Sequence, residues 1–152
     1  MRRNHWVNAL TDGTNTWYHS FKYKQQMNTG TTEEYSIVMR LPEMYLIRAE
    51  ARARQGFLTG ATDDLDVIRN LAGLPNTTAV TQQEILDAIL RERRVEFFTE
   101  GGHRFFDLKR AGQLDTVLTP VKPGWNAYEA LFPLPQNELL LNPNMLPQNP
   151  GY

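Results

Sequence analysis

The distribution of proline constrains the fold of this 152-residue chain more than any other feature of its sequence. Seven of the nine prolines lie after residue 119, and only Pro42 and Pro75 lie between residues 41 and 112. Because proline removes a backbone donor and disfavours helix in the residue before it, the last segment cannot form one long helix. We therefore predict three zones: an irregular aromatic lead (1–40), a helical centre (41–112) and a Pro-rich extended tail (113–152).

The composition is that of one globular domain, with 41% hydrophobic residues and 16 Lys and Arg against 17 Asp and Glu, so we expect a single domain over 1–152. A net charge of −1 argues against a general nucleic-acid binder. No apolar run approaches the ~18 residues of a membrane span. The chain has no Cys and its three His are far apart in sequence, so we predict no thiol chemistry, no metal site and no cofactor.

Two helices open the centre, and we predict them at 41–55 and 61–72. Pro42 suits a first helical position, and Gly56 suits the residue after the last turn. The second helix is expected to be capped near Thr62, just before two aspartates.

The first of these helices carries apolar residues on two opposite sides. At 100° per residue, Met44 and Ile47 belong to one sector, while Leu46 and Ala49 belong to another. This pattern predicts a helix buried on both faces between neighbouring helices.

The two helices together resemble one tetratricopeptide unit, the helical hairpin of a known repeat. Tyr45, Ala49, Ala61 and Leu65 follow one another at spacings of 4, 12 and 4, as large, small, small and large residues do in that repeat. Any tight helical hairpin also selects small residues at its crossing, so one unit is weak support. The resemblance predicts that the two alanines face each other.

A third helix begins with the capping box Thr81-Gln-Gln-Glu84 and is predicted to run to about Thr99. Its helical wheel places Arg93 at the centre of the apolar arc, with Glu96 at the edge of that arc. A buried charge without a partner is costly, so the wheel predicts that Arg93 is paired with a carboxylate.

We predict a structural ion-pair network made of Arg93, Glu96, Arg104 and Asp107. The partner of Arg93 is either Glu96 or Asp107, which lies on a short helix at 103–110. Glu96 and Asp107 have an alternative interpretation as a glycosidase acid/base pair. Neighbouring arginines favour ionised carboxylates, which opposes the raised pKa that a general acid needs, so we predict that the chain is not an enzyme.

At these residues the sequence resembles the SusD/RagB family of surface glycan-binding lipoproteins. The segments that carry the resemblance are 40–51 (RLPEMYLIRAEA), 64–69 (DLDVIR), 72–75 (AGLP), 89–97 (ILRERRVEF), 100–110 (EGGHRFFDLKR), 132–138 (FPLPQNE) and 148–152 (QNPGY). Gly102 departs from the family's Glu-Gly-His-Arg pattern. The family is several times longer, with a lipidated Cys near its start, so this chain resembles its C-terminal portion.

The resemblance implies a mainly α protein with tetratricopeptide-like helical hairpins. It also implies a role in nutrient uptake, in which polysaccharide or oligosaccharide is bound at the cell surface and delivered to a SusC-like TonB-dependent transporter. The location it implies is the outer membrane, through a lipid anchor in a preceding part of the protein. Two other hypotheses remain: a helical-repeat scaffold that binds only proteins, and a glycan hydrolase.

Exposed aromatic rings are the candidates for glycan contact, because the C–H face of a sugar packs on an aromatic plane. The lead holds six of the 16 aromatic residues, and Asn side chains nearby could bond sugar hydroxyls. The alternative is that these rings only fill the core. No motif selects among them, so we take Trp6, Trp17, Tyr18 and Tyr23 of the lead as candidates. We add Trp125, which lies in a loop of the predicted tail.

Overall fold

The computed structural model describes residues 2–24, 30, 34, 35 and 37–152. Parts of the predicted lead, at 1, 25–29, 31–33 and 36, therefore lie outside the described residues. Contacts along the chain divide it into two compact units, Met1–Arg104 and Phe105–Tyr152. The single domain that we expected over 1–152 stays a prediction.

The first part of the lead has regular structure, which differs from the irregular segment that we predicted. A short helix α1 (Arg2–Trp6) leads directly into a hairpin of β1 (Val7–Thr11) and β2 (Thr16–Ser20). The turn at Asp12-Gly13 joins the two strands. Gly13 has a φ of 93°, a backbone conformation that glycine adopts more readily than other residues. The two strands pair antiparallel on either side of this turn.

Helix α2 (Leu41–Arg54) begins where predicted, with Pro42 in its first turn, and ends one residue before the predicted end. The side bearing Leu46 and Ala49 is buried, as expected. The second apolar side is not, because Met44 is 40% exposed and Ile47 is 49% exposed. The prediction of two buried faces is therefore wrong within the part of the chain that the structure describes.

Helix α3 (Leu58–Leu71) begins three residues earlier than predicted. The hydroxyl of Thr62 does not cap it but donates to the carbonyl oxygens of Leu58 and Thr59 inside the helix. Helices α2 and α3 pack against each other, and Ala49 and Ala61 are both fully buried in the same core cluster. A tetratricopeptide-like crossing of these alanines stays a prediction.

Helix α4 (Gln82–Glu96) completes the core of the first unit. Its capping box is confirmed: Thr81 accepts from the backbone of Glu84, and the Glu84 carboxylate accepts from the backbone of Thr81. The helix ends three residues before the predicted end. Thr99 has a positive φ of 60°, so the backbone there has already left the helical conformation.

The 103–110 helix is confirmed as α5 (His103–Arg110). The second unit continues with α6 (Leu114–Leu118), α7 (Gln136–Leu141) and the 3-10 turns Ala127–Ala130 and Pro143–Met145. The tail is thus less extended than predicted, since prolines at the start of a helix are tolerated and short helices fit between them.

Side-chain contacts order the end of this second unit. The Gln148 side chain accepts from the backbone N of Leu134 at 2.7 Å and donates to its carbonyl oxygen at 2.9 Å. The Tyr152 hydroxyl donates to the carbonyl oxygen of Leu131 at 3.0 Å. These bonds hold the last residues against the 131–134 segment, and the fold is mainly helical, as predicted.

Candidate functional site

The hairpin carries a mixed aromatic and polar surface in the first unit. Its register pairs Leu10 with Trp17 and Asn8 with His19. Because paired residues point to the same side and side chains alternate along a strand, these four share one face. All four are exposed, and Trp17 exposes 52% of its surface. This face, defined here as the Trp17 face, combines an indole with an amide and an imidazole.

Hydrogen bonds at the turn fix the hairpin and so position the Trp17 face. The Asp12 carboxylate accepts from the backbone N of Asn15 at 2.7 Å and of Thr14 at 2.8 Å. These bonds stabilise the ionised form and hold the pKa of Asp12 below its usual value. The ionised Asp12 side chain therefore supports the conformation of the turn.

Tyr18 lies on the opposite face of the hairpin from Trp17, since the two are adjacent on one strand. It is 64% exposed, and the guanidinium carbon of Arg3 lies 5.3 Å from its ring centroid. A cation–π contact of this kind occupies part of the ring. The structure therefore separates two of the predicted glycan contacts onto different faces.

Trp6 lies at the end of α1 and is partly buried. The Nζ atom of Lys22 is 3.9 Å from its ring centroid, and the guanidinium carbon of Arg2 is 5.8 Å away. Tyr23 is also partly buried, just after the hairpin. The rings of Trp6 and Tyr23 are thus less open to a ligand than that of Trp17.

A row of three buried carboxylates holds α1 and the hairpin in place. Glu92, Glu96 and Glu100 follow one another every four residues, at and just beyond the end of α4. Arg2 bonds Glu92 at 2.5 Å and Glu96 at 2.6 Å. Lys22 forms an ion pair with Glu100 and donates to the Glu96 carbonyl oxygen at 2.6 Å. The three glutamates and the cations that pair with them, which are Arg2, Lys22 and Arg40, are called the glutamate row.

Arg40, just before α2, closes the glutamate row. Its guanidinium pairs with Glu96 and, at 3.0 Å, with Glu100. Burial alone would lower the pKa of Arg40, but its hydrogen bonds to Glu100 and Glu96 outweigh burial and raise it. Burial would likewise raise the pKa of Glu100, and the Lys22 and Arg40 hydrogen bonds lower it instead. The ionised form of Glu100 is therefore favoured, which does not suit a general acid, while burial lowers the pKa of its partner Lys22.

The predicted network around Arg93 is partly visible in the first unit. Arg93 is 5% exposed, as expected for the centre of the apolar arc. Its Nη2 atom lies 3.8 Å from Glu43 Oε1 and 3.5 Å from His103 Nδ1, and its guanidinium carbon is 5.0 Å from the Phe97 ring centroid. The ion pairs of Glu96 run to Arg2 and Arg40.

Asp107 is buried, and its Oδ1 atom accepts from Arg110 at 3.0 Å within the second unit. Arg104 is partly buried. The pairing of Arg93 with Glu96 or Asp107 stays a prediction. Sequence reasoning missed Arg2, Lys22 and Arg40 as partners, because they lie far from the glutamates along the chain.

Trp125 belongs to the second unit. Its indole Nε1 donates to Asp115 Oδ1 at 2.8 Å, and Lys122 Nζ lies 5.0 Å from its ring centroid. The ring is partly buried. These contacts anchor the indole in its loop and leave only part of it for a ligand.

Leu10 and His19 lie on the Trp17 face although the sequence did not indicate them as candidates. The alternation of side chains around Asp12-Gly13 would have placed both beside Trp17. Among the described residues no three His, Asp or Glu side chains cluster so as to hold a metal ion. The helices of the described part are also too short or too polar to cross a membrane.

Comparison with known proteins gives a consistent family. The family model described as the SusD family matches residues 2–152. The chain is 33% identical to the starch-binding protein SusD of Bacteroides thetaiotaomicron, over 96% of this chain and 27% of that protein. It is 32% identical to SusD-like protein P2 of Formosa agariphila, over 84% of this chain and 22% of that protein. The chain thus spans about a quarter of the length of these curated relatives.

Solved structures agree with the sequence relatives. A SusD superfamily protein from Bacteroides vulgatus matches 99% of this chain and 35% of its own, with a TM-score of 0.67 and 29% identity. A SusD-like protein from Bacteroides fragilis matches 76% of this chain and 26% of its own, with a TM-score of 0.62 and 31% identity. The mainly helical fold, the sequence relatives and the family model agree: this chain belongs to the SusD family.

Proposed function

We propose that this chain is part of a protein that binds glycans at the cell surface and delivers them to a SusC-like TonB-dependent transporter. The observation that carries glycan binding to this chain is the Trp17 face, where an exposed indole lies beside Asn8 and His19. A relative in Bacteroides thetaiotaomicron is named a starch-binding protein, which supports the same class of ligand. The transporter and the outer-membrane location, with a lipid anchor outside these residues, follow from the family.

The chemistry of the Trp17 face suits a sugar. The C–H face of a pyranose ring packs on an indole, and the ring's hydroxyls need donors and acceptors at its edge. The Asn8 amide can provide both, although its Oδ1 already accepts from the backbone N of Ala9 at 2.9 Å. The His19 ring has its Nε2 left for a sugar, because its Nδ1 lies 3.1 Å from the carbonyl oxygen of Ser20. Since these bonds replace bonds to water, each contributes little, so we expect weak binding by a single face.

The glutamate row supports binding without catalysis. Hydrolysis of a glycosidic bond needs a carboxylic acid that keeps its proton near neutral pH. The pKa of Glu100 is lowered by Lys22 and Arg40, and Glu96 lies between two arginines. We therefore propose that the chain hydrolyses no glycan.

Titration of the chain with soluble oligosaccharides tests the proposal. We expect saturable binding that falls by roughly tenfold, or about 1.4 kcal/mol, in Trp17→Ala, because one stacking platform is lost. Tyr18→Ala is the matched control, since it removes another exposed ring, at 64% against 52% for Trp17, from the other face of the same strand. Equal loss in both variants, or none in either, would contradict a site on the Trp17 face.

A protein-binding scaffold is the second candidate function. The observation that favours it is the exposed apolar side of α2, which includes Met44 and Ile47. Exposed apolar surface on a helix is typical of a protein contact. If none of the soluble oligosaccharides gives saturable binding, protein binding replaces glycan binding as the proposed function of this segment.

A further inference from the structure

The backbone hydrogen bonds of the hairpin have a defined phase. The backbone N of Asp12 donates to the carbonyl oxygen of Asn15 at 3.2 Å, and the backbone N of Phe21 donates to that of Trp6 at 2.8 Å. Both bonds join residues that lie opposite each other in the register of β1 and β2. In an antiparallel ladder, pairs that exchange hydrogen bonds alternate with pairs that do not. These two bonds therefore determine which residues of each strand point their backbone groups outward.

Thr16, Tyr18 and Ser20 form the outer edge of β2. The backbone groups of Trp17 and His19 point at β1, whereas those of the three edge residues point away from it. Among the described residues, no hydrogen bond occupies the backbone N–H or the carbonyl of Thr16 or Tyr18. Every residue of β2 is exposed, so this edge is open to solvent.

The outer edge of β1 is blocked at its centre. The side-chain Oδ1 of Asn8 accepts from the backbone N of Ala9 at 2.9 Å. Ala9 lies opposite Tyr18 in the register, so the two residues occupy the same position on the two outer edges. The hairpin therefore has one edge that is partly occupied by its own side chain and one edge that is free.

Strand β2 also lacks the features that keep edge strands from pairing with another chain. Natural edges carry Lys, Pro, a bulge or an inward-pointing charge. The β2 sequence TWYHS has no proline and no Lys, Arg, Asp or Glu, and its register with β1 is continuous. A two-stranded hairpin is marginally stable by itself, and neither strand has a fully buried residue. An added strand would therefore stabilise it.

The β2 sequence is complementary to itself in an antiparallel pairing centred on Tyr18. In that register Tyr18 lies opposite Tyr18 of the second copy, Trp17 lies opposite His19, and Thr16 lies opposite Ser20. Aromatic pairs and hydroxyl pairs stabilise neighbouring strands, and no two like charges of β2 face each other. The three outward pairs can exchange about six backbone hydrogen bonds.

We infer that the outer edge of β2 is a self-association surface, at which two copies of this chain pair β2 with β2 in one four-stranded antiparallel sheet. The inference does not depend on glycan binding. Pairing of one short edge covers less area than a standard interface of about 1,600 Å², so we expect a weak dimer. Side chains stand above and below a sheet, so the Trp17 faces of both copies lie on the same side and stay open.

Sedimentation velocity of the 152-residue chain from about 10 µM to about 1 mM tests the inference. We expect the sedimentation coefficient of the parent to rise with concentration. Tyr18→Pro removes the outward N–H at the centre of the open edge, and Ala9→Pro is the matched control at the same position of the blocked edge. Neither N–H belongs to the ladder, and proline is tolerated at such edge positions. We expect Tyr18→Pro to weaken association by at least roughly tenfold and Ala9→Pro to associate as the parent does.

A second measurement covers the case in which a proline variant does not fold, as judged by circular dichroism. The chain has no Cys, so one introduced thiol reports the pairing. In the inferred register, the two copies of residue 18 have Cα atoms about 5.5 Å apart, a distance that a disulfide spans. Under mild oxidation, we expect Tyr18→Cys to form a disulfide-linked dimer at least roughly tenfold faster than Ala9→Cys, which is exposed on the same face of the hairpin.

Three results would overturn the inference. A parent chain that stays monomeric at about 1 mM has no such dimer. Equal rates of disulfide formation at positions 9 and 18 would show that the β2 edge is not the contact. Loss of the dimer in Ile47→Asp but not in Tyr18→Pro would assign self-association to the exposed side of α2 instead.

Discussion

Replacing Glu96 with Gln tests whether the glutamate row holds α1 and the hairpin on the helical core. Glu96 is buried and receives ion pairs from two cations, Arg2 at 2.6 Å and Arg40. The substitution keeps the size and one acceptor of the side chain and removes its charge. Both cations then lose their shared partner at once.

The expected loss of unfolding free energy depends on which carboxylate partners each cation keeps in the variant. Removing one member of a buried pair costs about 3–5 kcal/mol when the other charge is left alone. Here Arg2 still has Glu92 at 2.5 Å and Arg40 still has Glu100 at 3.0 Å, so neither is left alone. A hydrogen bond to a charged group contributes about 1.5–3 kcal/mol, and the amide oxygen of Gln retains part of it, so we expect a loss of about 2 kcal/mol.

Urea unfolding followed by far-UV circular dichroism measures this loss as a shift of the midpoint. Asp63→Asn is the control, because it removes one negative charge from an exposed position of α3 in the same unit, and its effect is expected to stay within about 0.5 kcal/mol. A double-mutant cycle with Arg2→Met separates the charge coupling from lost packing. If Glu96→Gln shifts the midpoint no more than the control does, the ion pairs of Glu96 contribute nothing to stability.

Two further predictions concern the helical hairpin and the pH dependence of the row. Ala49→Leu should cost on the order of 1–3 kcal/mol by overpacking the buried contact of α2 with α3, whereas Ala51→Leu on the exposed side should be nearly neutral; equal thermal midpoints would contradict a close crossing at Ala49. Because the folded-state pKa of Glu100 is lowered, its contribution is fully present above the ordinary glutamate pKa and is lost as the pH falls through the folded-state value. Unfolding free energy measured from neutral to acid pH should therefore fall more steeply in the parent than in Glu100→Gln, and parallel curves would contradict this assignment.

Local signals in the sequence were sufficient for several elements. The capping box of Thr81 and Glu84 fixed the start of α4 to the residue, because both of its bonds close within four residues. Pro42 and Gly56 indicated the two ends of α2, because proline suits the first turn of a helix and glycine suits the positive φ just after its end. The start of α3 was missed because Thr62 has two possible partners, the free donors of a helix start and the carbonyls of its own helix, and only the second is used.

The candidate site depended partly on hairpin faces that a local pattern contains and partly on distant contacts that it does not. The aromatic residues of the lead were all visible in the sequence, yet the hairpin register separated Trp17 from Tyr18 and brought His19 beside Trp17. An alternating pattern around Asp12-Gly13 would have predicted those faces. Nothing in the sequence near Arg2 or Lys22 indicated that their partners are glutamates at the end of α4.

The sequence by itself determined the family, the helical centre and the burial of Arg93, because each depends on motifs or periodicities within a few helical turns. The tertiary structure alone decided which charges meet, which side of α2 is covered and which edge of the hairpin is open. The physical reason is that the residues on one helix face show that the face needs a partner, but not which segment of the chain supplies it. The buried glutamates required cations, and the packing of distant segments selected Arg2, Lys22 and Arg40. The second apolar side of α2 predicted a packed neighbour, but Met44 and Ile47 are exposed.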